Sequence, residues 1–113
     1  MAISGVARAA SPFEMQDVVS DGTHTLVLSG ELDMATTPGV EAVIVGCAAS
    51  ARRLTVDLSK LTFMDSTGLG LMLSAQQLCQ ASGAEFALVP GPRNVQSVFE
   101  VTGLLDQLPF ETT

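Results

Sequence analysis

Ser66 is the side chain with the clearest opportunity for chemistry. It stands in Phe63-Met64-Asp65-Ser66-Thr67-Gly68-Leu69-Gly70, where an acid precedes two hydroxyls and two glycines follow. A serine between a strand and a helix first suggests acyl transfer. The nucleophile elbow used for that chemistry reads Gly-x-Ser-x-Gly, and here Met64 stands two residues before Ser66. The only histidine, His24, falls in a strand of an early hairpin, so a Ser-His-Asp catalyst is not expected. Gly68 and Gly70 lack the lysine of a phosphate-cradling loop. Two isolated cysteines and one histidine show no metal-ligand spacing. Enzyme activity, a bound metal and a cofactor are therefore not expected.

What remains is a hydroxyl at the start of a helix. Such a serine can simply cap the helix, and Asp65 can take that duty instead. The capping box is incomplete, because position 69 is Leu rather than Glu or Gln. Alternatively Ser66 can be modified. A phosphate there would meet the positive end of the helix dipole. It would also add nearly two negative charges beside Asp65, and a partner docked over that spot would be repelled. Local physics leaves both readings open.

The positioning elements follow from periodicity. Phe13 to Ser20 and Thr23 to Ser29 read as strands, joined by the turn Asp21-Gly22 into a hairpin. Gly30-Glu31-Leu32-Asp33 is expected to leave the sheet. Thr36-Thr37-Pro38 signals a helix start, and Val40, Val43, Ile44 and Cys47 give residues 38–50 a helical period. Leu54 to Leu58 reads as a covered central strand. A second helix is expected from Ser66 to Ser82, stopped by Gly83 in a left-handed cap. Glu85 to Val89 reads as a strand, and Asn94 to Thr102 as a helix stopped by Gly103. The tail from Leu104 to Phe110 should dock back. The order predicts one α/β domain, a mixed and mostly parallel sheet of four to five strands with an N-terminal β-hairpin and crossover helices. Residues 1–12 are expected to be a flexible arm and 13–113 the domain.

Composition narrows the function. The chain has 113 residues, with 47% hydrophobic and 15% charged, enough for one packed core. Five Lys+Arg oppose twelve Asp+Glu, a net charge of −7. The basic residues Arg8, Arg52, Arg53, Lys60 and Arg93 form no stripe, so direct nucleic-acid binding is disfavoured. An acidic domain suits a basic protein surface. No run approaches a membrane span, and residues 1–10 lack a signal-peptide core, so a cytoplasmic, membrane-free protein is expected. Cys47 and Cys79 read as small buried thiols, with a redox pair between neighbouring helices as the alternative.

Four segments together resemble the STAS domain, in its bacterial anti-sigma factor antagonist branch. Leu26-Val27-Leu28-Ser29-Gly30-Glu31-Leu32-Asp33 is similar to the family's strand ending in Gly-Glu-Leu-Asp. Thr55-Val56-Asp57-Leu58-Ser59 is similar to its central strand. Phe63-Met64-Asp65-Ser66-Thr67-Gly68-Leu69 resembles its phosphorylation loop. Val95-Gln96-Ser97-Val98-Phe99 with Gly103-Leu104 resembles its last helix and turn.

The resemblance implies partner switching. The unphosphorylated antagonist binds an anti-sigma factor, a serine kinase of the histidine-kinase-like type, and so frees a sigma factor. The kinase phosphorylates the motif serine, here Ser66, and the complex dissociates; a PP2C-type phosphatase reverses the modification. Asp33, Asp57, Asp65, Thr67 and Gly68 are expected beside Ser66 in partner binding, with Thr67 an alternative acceptor. Met64, Leu69 and Met72 could line the same surface, although Leu69 and Met72 read better as core residues. Asp33 and Asp57 could equally serve local hydrogen bonds. A STAS scaffold subunit of a stress-sensing or lipid-transport complex, without a phospho-switch, is the other implied reading.

Overall fold

The computed structural model describes residues 13–111, so the flexible arm expected over residues 1–12 lies outside the described residues. The elements are β1 (Glu14–Ser20), β2 (Thr23–Leu32), α1 (Thr37–Ala48), β3 (Arg53–Met64), α2 (Ser66–Ser82), β4 (Glu85–Val89) and α3 (Arg93–Val101). They build one four-stranded sheet in the order β1-β2-β3-β4. The β1–β2 pair is antiparallel, whereas β2–β3 and β3–β4 are parallel. Asp21 and Gly22 both have positive φ, 56° and 81°, which gives the hairpin a turn matching the strand twist.

Both crossovers step the same way across the sheet. Right-handed connections then place α1 and α2 on one face, where they pack against each other. Leu26, Leu28 and Leu32 of β2, Leu54, Val56 and Leu58 of β3, and Leu88 of β4 meet Val40, Ile44, Met72 and Ala75 of the helices, all fully buried. The tail docks back as expected. Phe110 bridges to Leu88 and sets its ring edge-on to Phe99, with centroids 4.9 Å apart.

Two strands run further than their sequence suggests. Gly30-Glu31-Leu32 stays in β2, and β3 continues past Leu58 to Met64. The pairing of β3 with β4 ends at Asp57 and Val89, so the rest of β3 is held by β2 alone. With one neighbour lost, Ser59, Lys60, Thr62 and Phe63 become exposed, and the hydrophobic run that marks a covered strand disappears. Register shifts at Val27/Ser29 and Gly30/Glu31 accommodate the irregularity. Gly30, at φ 94°, takes a backbone conformation that favours glycine.

Candidate functional site

β2 and β3 deliver their C-terminal ends side by side, Leu32 opposite Met64. Ligands of open α/β sheets gather at such ends, beyond the carboxyl termini of parallel strands. A single residue, Asp65, separates β3 from α2. Its N–H donates to the Leu32 carbonyl at 3.2 Å, which ties the loop to β2. Its backbone is extended, and its carboxylate accepts the Thr67 N–H at 2.9 Å and also the Thr67 hydroxyl. Asp65 is therefore the N-cap. The Thr67 side chain, helped by the N–H groups of Thr67, Gly68 and Met34, holds the Asp65 carboxyl below the usual carboxylate range.

Ser66 is consequently free of cap duty. It occupies the first helical position, exposed, and among the described residues no hydrogen bond engages its hydroxyl. Thr67 is also exposed, but its hydroxyl is committed to Asp65. Gly68 is buried directly behind the loop, where an added Cβ would stand 2.5 Å from Met64 Cγ and 3.1 Å from Leu32 Cδ2. This close approach seats the first turn of α2 on the sheet.

Asp33 joins the same edge. Its Oδ1 accepts the Ala35 N–H at 3.0 Å and the Thr36 N–H at 3.2 Å, folding the turn between β2 and α1. The Thr36 hydroxyl, expected to cap α1, instead donates to the Glu31 carbonyl at 3.0 Å. Asp57 lies elsewhere. It is paired with Val27, five residues before Leu32, which at about 3.3 Å per strand residue puts it roughly 17 Å along the sheet from Met64. Its Oδ1 accepts the Ser59 N–H at 2.9 Å.

The apolar rim of the site differs from the sequence expectation. Leu69 and Met72 lie in the core, as the better reading of them had it, at 7% and 0% exposed, and Met64, expected on the surface, is buried as well at 3%. Met34 and Phe63 are exposed instead, at 75% and 43%. Met34 follows Asp33 in the turn after β2, and Phe63 precedes Met64 on the outward side of β3. Alternation along an extended β3 would have turned Phe63 outward, and ending that strand at Leu58 hid the signal. A depression of about 280 Å³ between α1 and α2, lined by Thr37, Glu41, Thr67, Gly70, Leu71 and Ser74, continues the surface.

Arg52 and Arg53 are at the opposite ends of the strands. Arg52 reaches the Asp21 carbonyl, and Arg53 bridges Glu85 and Glu111 at 3.0 and 2.9 Å. Cys47 and Cys79 are both free and buried, and desolvation raises both thiols above their ordinary range.

A four-stranded mixed sheet with an exposed serine just beyond the carboxyl end of β3 defines a small α/β domain. Residues 14–113 match the STAS domain, and the chain belongs to that family. A curated relative, the anti-sigma-B factor antagonist of Staphylococcus aureus, is 29% identical over 93 residues, covering 81% of this chain and 86% of the relative. An anti-sigma factor antagonist from Mycobacterium paratuberculosis superposes with a TM-score of 0.81 at 27% identity, covering 90% of this chain and 87% of that one. The anti-sigma factor antagonist SpoIIAA in its unphosphorylated form superposes at 0.74 with 26% identity, covering 89% of each chain. The phosphorylated form of Bacillus SpoIIAA superposes at 0.68 with 25% identity, covering 89% of this chain and 92% of that one. Among the described residues, no helix is long and apolar enough to cross a membrane.

Proposed function

We propose that this chain is an anti-sigma factor antagonist controlled at Ser66. Unmodified, it binds an anti-sigma factor of the histidine-kinase-like serine kinase type and thereby frees a sigma factor. The kinase transfers phosphate to Ser66, the complex separates, and a PP2C-type phosphatase resets the domain. The protein itself acts by binding and carries out no reaction.

One observation carries this reading. Ser66 offers an exposed hydroxyl beyond the carboxyl end of β3 while Asp65 performs the cap that Ser66 would otherwise provide. Modification therefore leaves the helix start intact. Because Asp65 already holds the Thr67 N–H, a phosphate on Ser66 extends outward rather than settling into the cap. Its charge then faces the partner. Asp65, Asp33, Met34 and Phe63 supply an acidic and apolar frame around it, and a partner packed onto that frame would meet the added charge at close range. SpoIIAA, a structural neighbour, has both unphosphorylated and phosphorylated forms. Docking the partner over Ser66 would have to strip water from that phosphate or leave it unpaired, at about 2–5 kcal/mol, roughly thirty- to several-thousandfold in affinity.

The test is a binding titration of the anti-sigma partner with Ser66→Ala and Ser66→Glu. The alanine variant should bind as tightly as the unmodified domain, and the glutamate variant at least tenfold more weakly. Equal affinity for both variants would contradict the switch and favour a scaffold subunit.

A further inference from the structure

Asp17, His24 and Cys47 come from three elements, β1, β2 and α1, and share no sequence spacing. The fold nevertheless gathers them. The hairpin register pairs Asp17 with Leu26 and Val19 with His24, so Asp17 and His24 are diagonal neighbours on one face. Leu26 on that same face belongs to the core beneath α1, and Cys47 descends onto it from the last turn of α1. His24 Nδ1 lies 3.1 Å from each oxygen of the Asp17 carboxylate. Cys47 Sγ donates to Asp17 Oδ2 at 3.8 Å. One ligand atom from each residue lies within 4.8 Å of the other two.

We propose that Asp17, His24 and Cys47 form a three-ligand binding site for a thiophilic divalent cation of the zinc class. Zinc bonds of about 2.0 Å to nitrogen and oxygen and 2.3 Å to sulfur set tetrahedral ligand atoms roughly 3–4 Å apart, the spacing found here to within a small side-chain adjustment. A thiolate, an imidazole and a carboxylate select zinc-like ions over calcium or magnesium, which prefer all-oxygen sets. Solvent reaches the Asp17 and His24 side chains, 34% and 20% exposed, which leaves an entry path and room for water as a fourth ligand. Cys47 closes the inner side at 7% exposure.

Binding is proton-coupled. The Cys47 S–H that donates to the Asp17 carboxylate must be given up on binding. When the ion enters, the S–H bond breaks, the metal–sulfur bond forms, and one proton passes to the buffer. The ion would pin the edge hairpin to the end of α1. Cys47 lies ten residues after Thr37, roughly 15 Å along the helix from the end that adjoins Ser66. The cation site is therefore separate from the partner surface.

The experiment is a Co²⁺ titration of the untagged, reduced full chain, followed by Zn²⁺ competition. One saturable equivalent should give near-ultraviolet thiolate-to-cobalt absorption, displaced by Zn²⁺, with a rise in the thermal midpoint. Cys47→Ser should abolish the absorption, His24→Gln should weaken affinity at least tenfold, and Cys79→Ser should change neither. Absence of a saturable band, or a band that survives Cys47→Ser, overturns the proposal. Should Cys47→Ser fail to fold, His24→Gln decides: unchanged affinity overturns the site equally.

Discussion

Gly68→Ala should destabilise the domain although alanine is the better helix former. The new methyl would stand 2.5 Å from Met64 Cγ, 2.9 Å from Met64 Sδ and 3.1 Å from Leu32 Cδ2. Both neighbours belong to the core, Met64 at 3% exposure and Leu32 at 0%, so neither can swing into solvent. Overpacking of this kind costs about 1–3 kcal/mol. Helix propensity returns up to about 1 kcal/mol, leaving a net loss of up to about 2 kcal/mol even with that full offset. Gly70, two residues on, provides the internal control. A Cβ there meets nothing within 4 Å, so Gly70→Ala should stabilise by about 0.5–1 kcal/mol. The variants should differ by about 2 kcal/mol. For a domain of this size, each kcal/mol moves the thermal midpoint by roughly 4–8 °C. Thermal and urea melts read this gap directly, with Gly68→Ala below the parent and Gly70→Ala above it. If both variants shift upward together, Gly68 does not seat α2 on Leu32 and Met64, and the placement of Ser66 needs another cause.

Asp65→Ala should remove the cap and lower stability by about 1 kcal/mol at neutral pH. The folded state depresses the Asp65 pKa, so its contribution is present above the unfolded carboxylate value of about 3.9 and fades as pH falls through the lower folded value. Denaturant melts of parent and Asp65→Ala should therefore converge in acid, while Asp65→Asn retains the cap near neutrality. Met34→Ala and Phe63→Ala should leave the melting temperature within a few degrees of the parent, because both side chains are exposed. Each should weaken the anti-sigma partner several-fold in a titration; unchanged affinity would move the docking surface away from this rim.

Elements with strong local signals were legible in the sequence. Residues 66–82 have matching expected and observed helix bounds, because Asp65 starts the helix and Gly83, at φ 84°, stops it. The Asp21-Gly22 turn and the Gly103 stop were readable for the same reason, both glycines having positive φ. The last three residues of β2 and the second half of β3 were not. A strand with one partner and one wet face loses its hydrophobic run, so Ser59 to Phe63 reads as loop. That error displaced Phe63 from the site and put Met64 on a surface it does not reach. Ser66 itself was legible, but the contest between cap and switch was not. Which residue caps the helix depends on which carboxylate or hydroxyl takes the Thr67 N–H, and that is set by three-dimensional geometry. The Asp17-His24-Cys47 cluster was invisible for a deeper reason: its members meet only through hairpin register and helix docking.

The switch is tested most directly by incubating the domain with ATP and the cognate histidine-kinase-like kinase, mapping the product by mass spectrometry, and measuring how tightly it then binds that kinase. The expected result is one phosphate on Ser66, none on Ser66→Ala, and a modified domain that binds at least tenfold more weakly. A phosphate found elsewhere, no phosphate at all, or a Ser66-phosphorylated domain that binds as tightly as before would contradict control at Ser66.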